Sequence, residues 1–131
     1  MMVEEKKVRD VMTRGVISVR LDDSVAEISK ILTGNSIHAV AVLDQRGDVT
    51  GVISEMDLLK GFGQDVDKLT AEDVISSHLR TITPDSNLSQ AAKVMRDLAI
   101  HRLIILHPEG RRAVGILSAS DIVKEMAKWK K

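Results

Sequence analysis

Two stretches of the chain carry the same helical spacing of apolar and polar positions. In SVAEISKILTGN (24–35), Val25, Ile28, Ile31 and Leu32 fall on one face of a 3.6-residue period. In NLSQAAKVMRDL (87–98) that face holds Leu88, Ala91, Val94, Met95 and Leu98. Both predict amphipathic helices, and both open on capping-box spacing, Ser24 with Glu27 and Asn87 with Gln90. Short β-type runs precede them, VISV (16–19) and RTI (80–82). After them come AVAVL (39–43) and RLIILH (102–107), nearly unbroken apolar runs of the kind a strand covered on both faces requires. The turns DQRG and PEG lead into VTGVIS and AVGILS, two further strands, and then into the second helices, EMDLLKG and ASDIVKEMAKW. The predicted order is β-α-β-β-α, twice, each copy preceded by a short segment, VRDVM or AEDVI.

The duplication extends to individual residues. Asp10 matches Asp73 and Val11 matches Val74 at an offset of 63 (74 minus 11), as do Lys30 and Lys93, Ile37-His38 and Ile100-His101, and Gly47 and Gly110. The offset then becomes 64 for Gly51 and Gly115, Ser54 and Ser118, Asp57 and Asp121, and Lys60 and Lys124, because the second copy has one more residue in its turn. Residues 1–60 form the first repeat, 61–70 a linker and 71–131 the second repeat. Half a chain of this length buries too little surface to stand alone. The copies are therefore expected to share a core through their apolar strands, packed sheet to sheet about a pseudo-twofold axis with two equivalent clefts. The fold class is α+β.

Composition narrows the chemistry. Lys plus Arg and Asp plus Glu both number 19, so no net field draws the chain to nucleic acid or an anionic membrane. Phe62 and Trp129 are its only Phe, Tyr or Trp residues, too few for a base-stacking platform. Cysteine is absent, which removes disulfides, thiolate metal sites and a thiol nucleophile. The charged start MMVEEKKVRD lacks an apolar signal core and no apolar run is long enough for a bilayer, so a cytoplasmic location is expected. The four histidines are not at metal-ligand spacing, and no nucleophile elbow, P-loop or carboxylate pair is present. No metal, no catalytic residue and no required cofactor are expected. Met12, Met56, Met95 and Met126 occupy apolar positions and read as core filler, while Met126 and Trp129 give the closing helix an apolar edge.

The distinctive pattern is Ser-x-x-Asp at the strand-to-helix turn, Ser54 with Asp57 and Ser118 with Asp121. As a cap, the hydroxyl binds the amide of the third helical residue and the carboxylate reaches back, contributing about 1 kcal/mol. The same geometry suits a ligand: helix-terminal N–H groups favour a phosphate, and an ionised Asp accepts both hydroxyls of a ribose. His101 and Arg102, at the start of the neighbouring strand, fit the role of facing the phosphate, and Arg grips phosphate oxygens with paired N–H groups.

DVMT (10–13), IHAVAVLDQRGDVTGVISEMDLL (37–59) and IHRLIILHPEGRRAVGILSASDIV (100–123), in register twice, resemble the tandem cystathionine-β-synthase (CBS) domain pair, or Bateman module. The likeness covers essentially the whole chain. It implies a stand-alone regulatory or sensor module, not an enzyme, that binds an adenine nucleotide (AMP, ADP or ATP) as regulatory ligand in an inter-repeat cleft. With no fused catalytic domain, its output is expected to pass through an unidentified protein target or through assembly, commonly a homodimer. By resemblance, the stronger site comprises His101, Arg102, Ser118, Ser120 and Asp121, with Thr13, Val16 and Ile17 against the base. The weaker site comprises His38, Ser54 and Asp57, with Ser76, Leu79 and Arg80 as its wall. There Ala39 replaces the Arg, Met56 replaces the second Ser, and Glu55 adds an acid. The alternatives are a module for S-adenosylmethionine or a dinucleotide, and a ligand-free interaction scaffold.

Overall fold

A computed structural model of the chain describes residues 5–75, 79–110 and 112–128. Ser76, His78 and Trp129 lie outside the described residues. The elements in chain order are β1 (Thr13–Arg14), β2 (Ser18–Arg20), α1 (Val25–Gly34), β3 (Ala39–Leu43), β4 (Val49–Ser54), α2 (Glu55–Leu58), α3 (Ala71–Val74), β5 (Thr81–Ile82), α4 (Leu88–Leu98), β6 (Arg102–Leu106), β7 (Ala113–Ser118) and α5 (Ala119–Lys128). Short 3-10 turns cover Val8–Asp10 and Leu59–Gly61. The β-α-β-β-α order therefore occurs twice, with mixed α and β structure. Strand β1 is an addition that the sequence pattern does not predict, and the first repeat's second helix is short, passing into a 3-10 turn at Leu59.

The described residues fall into two compact units. Unit one lies within Met1–Val16 and Arg80–Lys131, and unit two within Ile17–Leu79. Unit one holds the sheet β1-β7-β6-β5, and unit two the sheet β2-β3-β4. In both, a parallel pair (β5 with β6, β2 with β3) is extended by an antiparallel one (β6 with β7, β3 with β4). Each unit also has its own apolar cluster. In unit two, Val25, Ile28 and Leu32 of α1 pack with Val40, Val42 and Ile53, and with Ala71 and Val74 of α3. In unit one, Leu88, Ala91 and Met95 of α4 pack with Leu103, Ile105 and Leu117, and with Val8 and Met12. The core is thus shared between repeats in a particular way: the segment leading each repeat is buried with the strands and helix of the other repeat.

The expected capping box closes in both directions at α4 but only in one at α1, where Ser24 accepts and no bond from the Ser24 amide to Glu27 forms among the described residues. Ser24 Oγ accepts the Glu27 amide at 3.1 Å, and Asn87 and Gln90 bond reciprocally at 2.9 and 3.0 Å. Helices α1 and α4 are each followed by a left-handed residue, Ser36 and Ala99, each with φ of 53°. The next amides, Ile37 and Ile100, reach back to Leu32 and Met95 at 3.0 Å, so each helix closes before its Ile-His step.

Some apolar positions depart from expectation. Met12 and Met95 are buried, but Met56 and Met126 are exposed, on the outer sides of α2 and α5, and are not core filler. Leu98 is also exposed, because it falls at the edge of the buried arc of α4 in its last turn.

Candidate functional site

Unit one assembles most of the stronger candidate set. Register sets Arg102 opposite Ser118 across β6 and β7, and Thr13 opposite Ile116 across β1 and β7. Alternation along a strand then puts Thr13, Ser118 and Arg102 on one face of the sheet. Leu103, Ile105 and Leu117 take the opposite face and enter the apolar cluster. At the end of β7 the chain turns into α5. The Ala119 amide donates to the His101 carbonyl at 2.8 Å, which fixes His101 beside the first turn of the helix. Asp121 Nα–H donates to Ser118 Oγ at 3.1 Å, and the Ser118 amide donates to Asp121 Oδ2 at 2.8 Å. Ser120 is exposed in that first turn, and His101 is exposed at the strand start. Val16 is half-buried in the same unit. Ile17 belongs to unit two, where its carbonyl accepts the Ala41 amide at 3.2 Å.

Two side chains of this corner hold chemistry in reserve. Half-buried Arg102 makes no side-chain hydrogen bond or ion pair among the described residues. Asp121 uses one carboxylate oxygen in the cap, and its Oδ1 has no partner among them. Among the described residues, a guanidinium without a partner at the start of β6 and a carboxylate with one open oxygen in the first turn of α5 thus flank the end of β7.

The approach of β1 depends on Gly115. A Cβ there would lie 2.7 Å from the Thr13 carbonyl oxygen and 2.9 Å from Met12 Sδ, closer than real contacts allow. Beyond β1, the leading segment is held by the Val8 and Arg9 amides on the Ser86 and Pro84 carbonyls at 2.8 and 3.0 Å, and by a Lys6–Glu125 ion pair. Glu125 also binds Lys128 at 3.2 Å. Hydrogen bonds from Lys6 first, then Lys128, hold its carboxyl below the ordinary value of 4.5. Gly115, Met12 and Lys6 are the positioning residues that the sequence does not announce. The 64-residue match of Gly115 to Gly51 is the one available signal.

Unit two repeats the corner with different occupancy. The Glu55 amide donates to the His38 carbonyl at 3.2 Å, and Ser54 lies opposite Ala39. The Ser54 amide donates to Asp57 Oδ2 at 2.9 Å, with the return bond at 3.5 Å. Here, however, Asp57 Oδ1 is 3.3 Å from Lys60 Nζ and the side chain is only 10% exposed. Lys60 Nζ also donates to the Val74 carbonyl at 3.0 Å, so it joins Asp57 to α3. His38 Nδ1 meets Glu55 Oε1 at 3.1 Å. Of the expected wall, Leu79 lies in unit two and Arg80 in unit one, where the Arg80 carbonyl accepts the Ile104 amide at 3.1 Å.

Among the described residues no group of three or more His, Asp or Glu is arranged to hold a metal ion, and no helix is long and apolar enough to cross a membrane. A cavity of about 520 Å³ lies in unit two, lined by residues at the far ends of β2 and β3 from His38 and Ser54.

An uncharacterized protein of Methanocaldococcus jannaschii is 27% identical over 98% of this chain, which covers 34% of that protein. The chain spans between 22% and 61% of the first curated relatives that it matches. The CBS domain pair of protein MJ0100, solved in complex with 5'-methylthioadenosine and S-adenosyl-L-methionine, aligns with a TM-score of 0.86 at 26% identity, over 95% of this chain and 98% of that one. The CBS domain of a CBS-domain-containing membrane protein from Sphaerobacter thermophilus aligns with a TM-score of 0.84 at 26% identity, over 93% and 88%. The CBS domain family model matches residues 8–63 and again 71–128, repeat by repeat, and the chain belongs to the CBS domain family as a tandem pair.

Proposed function

We propose that the chain is a regulatory module that binds an adenine nucleotide, AMP, ADP or ATP, at the unit-one corner. In this reading Asp121 accepts the ribose hydroxyls, Arg102 and His101 face the phosphate with Ser118 and Ser120, and Thr13 and Val16 line the base. The observation that carries it is the pairing of unused groups: Arg102, without a side-chain partner among the described residues, stands opposite Ser118, whose capping Asp121 keeps one oxygen open. A buried or half-buried cation without a counter-charge favours an anionic ligand over none. Occupancy regulates by favouring whichever conformation or assembly binds the nucleotide better, and only by that difference in affinity.

A second reading, S-adenosylmethionine or 5'-methylthioadenosine, draws support from the MJ0100 pair, whose two ligands share an adenosine. It keeps the ribose role of Asp121 and has no need of Arg102. Assembly as a homodimer is supported by exposed apolar residues at matched positions of the two repeats, Leu59 and Phe62 (60% and 88% exposed), and Val123 and Met126.

Thermal melts and calorimetric titration with AMP, ADP, ATP, adenosine and S-adenosylmethionine test the proposal. A ligand at a hundredfold excess over its dissociation constant adds about 2.7 kcal/mol of stability. Asp121→Ala is expected to weaken every ribose-bearing ligand, while Arg102→Ala weakens the phosphorylated ones by about tenfold or more and spares adenosine. Equal losses for adenosine and AMP in Arg102→Ala would reject the phosphate role. No stabilisation by any of the five would leave the scaffold reading in its place. Light scattering of Phe62→Asp and Met126→Asp reports on the dimer, which is expected to dissociate.

A further inference from the structure

The cavity of about 520 Å³ in unit two shares no residue with the Arg102–Asp121 corner. Its size falls in the range of small-molecule sites. Charges of both signs line it, Arg20 and Arg46 with Asp22, Asp44 and Glu72, and among the described residues none of the five is in an ion pair. Asp44 serves the turn beside it, where its Oδ1 accepts the Arg46 and Asp48 amides at 2.8 and 3.0 Å. Asp22 and Glu72 are left without a cation.

Unit one reveals what their position ordinarily contains. In unit two the Ala71 amide donates to the Asp23 carbonyl at 2.9 Å and the Glu72 amide to the Leu21 carbonyl at 3.0 Å. In unit one the Val8 amide donates to Ser86 at 2.8 Å and the Arg9 amide to Pro84 at 3.0 Å. At the 63-residue offset these are the same two bonds, so Glu72 stands where Arg9 does, and Asp22 where Asp85 does. Arg9 forms an ion pair with Asp85, and Lys7 lies 4.0 Å from the same carboxylate. In unit two the counterpart of that cation is a second acid, beside an open cavity whose other charges are Arg20, Arg46 and the turn-forming Asp44. The dipole of α3 favours an acid at position 72 but gives no account of the arginines.

We infer that this cavity binds a small zwitterion of the amino-acid class, its ammonium or guanidinium group taking the place that Arg9 fills in unit one, and its carboxylate facing Arg20 and Arg46. Charge-assisted, paired N–H to carboxylate bonds would act at both ends of the ligand.

L-Arginine is the probe, with agmatine, the same cation without the carboxylate, as its partner. In calorimetric titration and in amide-shift mapping of the full chain, L-arginine is expected to bind saturably and to shift residues around Arg20, Leu43 and Glu72. Glu72→Arg brings a guanidinium beside Asp22, as in unit one, and is expected to lower L-arginine affinity by about tenfold or more. Asp22→Asn reads the same contact should that variant fail to fold. Arg46→Ala is expected to weaken L-arginine about fivefold and to leave agmatine within about twofold. The inference is overturned if folded protein gives no saturable signal with L-arginine up to ~20 mM, or if Glu72→Arg and Asp22→Asn bind it as the parent does.

Discussion

At the corner of unit two, Asp57 is nearly buried and holds Lys60, which is itself anchored to the Val74 carbonyl. At the corner of unit one, Asp121 is half-buried, and Lys124, three residues on as Lys60 is from Asp57, forms no ion pair among the described residues. The two corners have the same cap, the same register to the preceding strand and the same amide bond to a histidine carbonyl. They differ after the first helical turn. In unit two the helix tightens into a 3-10 turn at Leu59–Gly61, and Lys60 sits on that turn. In unit one the helix continues to Lys128. One local pattern therefore gives a structural carboxylate in one repeat and an available one in the other.

The largest expected effect comes from Gly115→Ala, whose Cβ would meet a backbone oxygen that cannot move aside without displacing β1. A loss of about 1–3 kcal/mol in chemical denaturation is expected, together with weaker nucleotide binding, because Thr13 rides on β1. Gly110→Ala, in open space, is the control and is expected to change little. Next, Asp57→Asn is expected to cost about 1–2 kcal/mol, since it removes a nearly buried charge-assisted contact. Asp121→Asn is expected to cost less than about 1 kcal/mol but to lose ribose ligands. Should the two substitutions have interchangeable effects on stability and binding, the distinction between the corners collapses.

A smaller pair of substitutions tests where the repeats are alike. Ser36→Gly and Ala99→Gly relieve equivalent left-handed residues, and each is expected to raise the melting midpoint by the equivalent of about 0.5 kcal/mol. The smallest effect is confined to acid. Lys6 and Glu125 form an ion pair in unit one, and their matches in unit two are Leu69 and Gly61, which are packed closely enough that a Cβ on Gly61 would lie 3.2 Å from Leu69 Cδ1. Since folding lowers the Glu125 pKa, its stabilisation is fully present above about pH 4.5 and is lost as pH falls through the lowered value. Glu125→Gln is expected to flatten the parent's stability loss below pH 4.5 in pH-dependent thermal melts, and a parent profile as flat as the variant's would remove the role of this pair.

Much of this was legible in the string of residues. Periods of 3.6 and the cap residues locate α1 and α4, the apolar run at 39–43 coincides with β3, and the run at 102–107 overshoots β6 by one residue. The Ser-x-x-Asp spacing foretells both reciprocal caps. The spacing of Asp57 to Lys60 equals that of Asp121 to Lys124, so no local pattern separates the occupied carboxylate from the open one. The difference arises from a second anchor, the Val74 carbonyl, 14 residues further along. Met12 likewise reads as core filler without any sign of the elements that bury it with Val8, because partner choice depends on shape and tertiary contact rather than period. Met56 reads as interior because α2, a helix of four residues, has too few turns for period to tell its two sides apart, whereas Met126 lies on the longer α5 and is exposed there.

The crossing of the leading segments decides what cutting the chain would do. Severing it between residues 61 and 70 would yield two fragments, each missing the piece that plugs its own interior: Val8 and Met12 for one, Ala71 and Val74 for the other. Neither fragment therefore holds a complete interior, and a substitution in either leading segment is felt in the core of the other repeat.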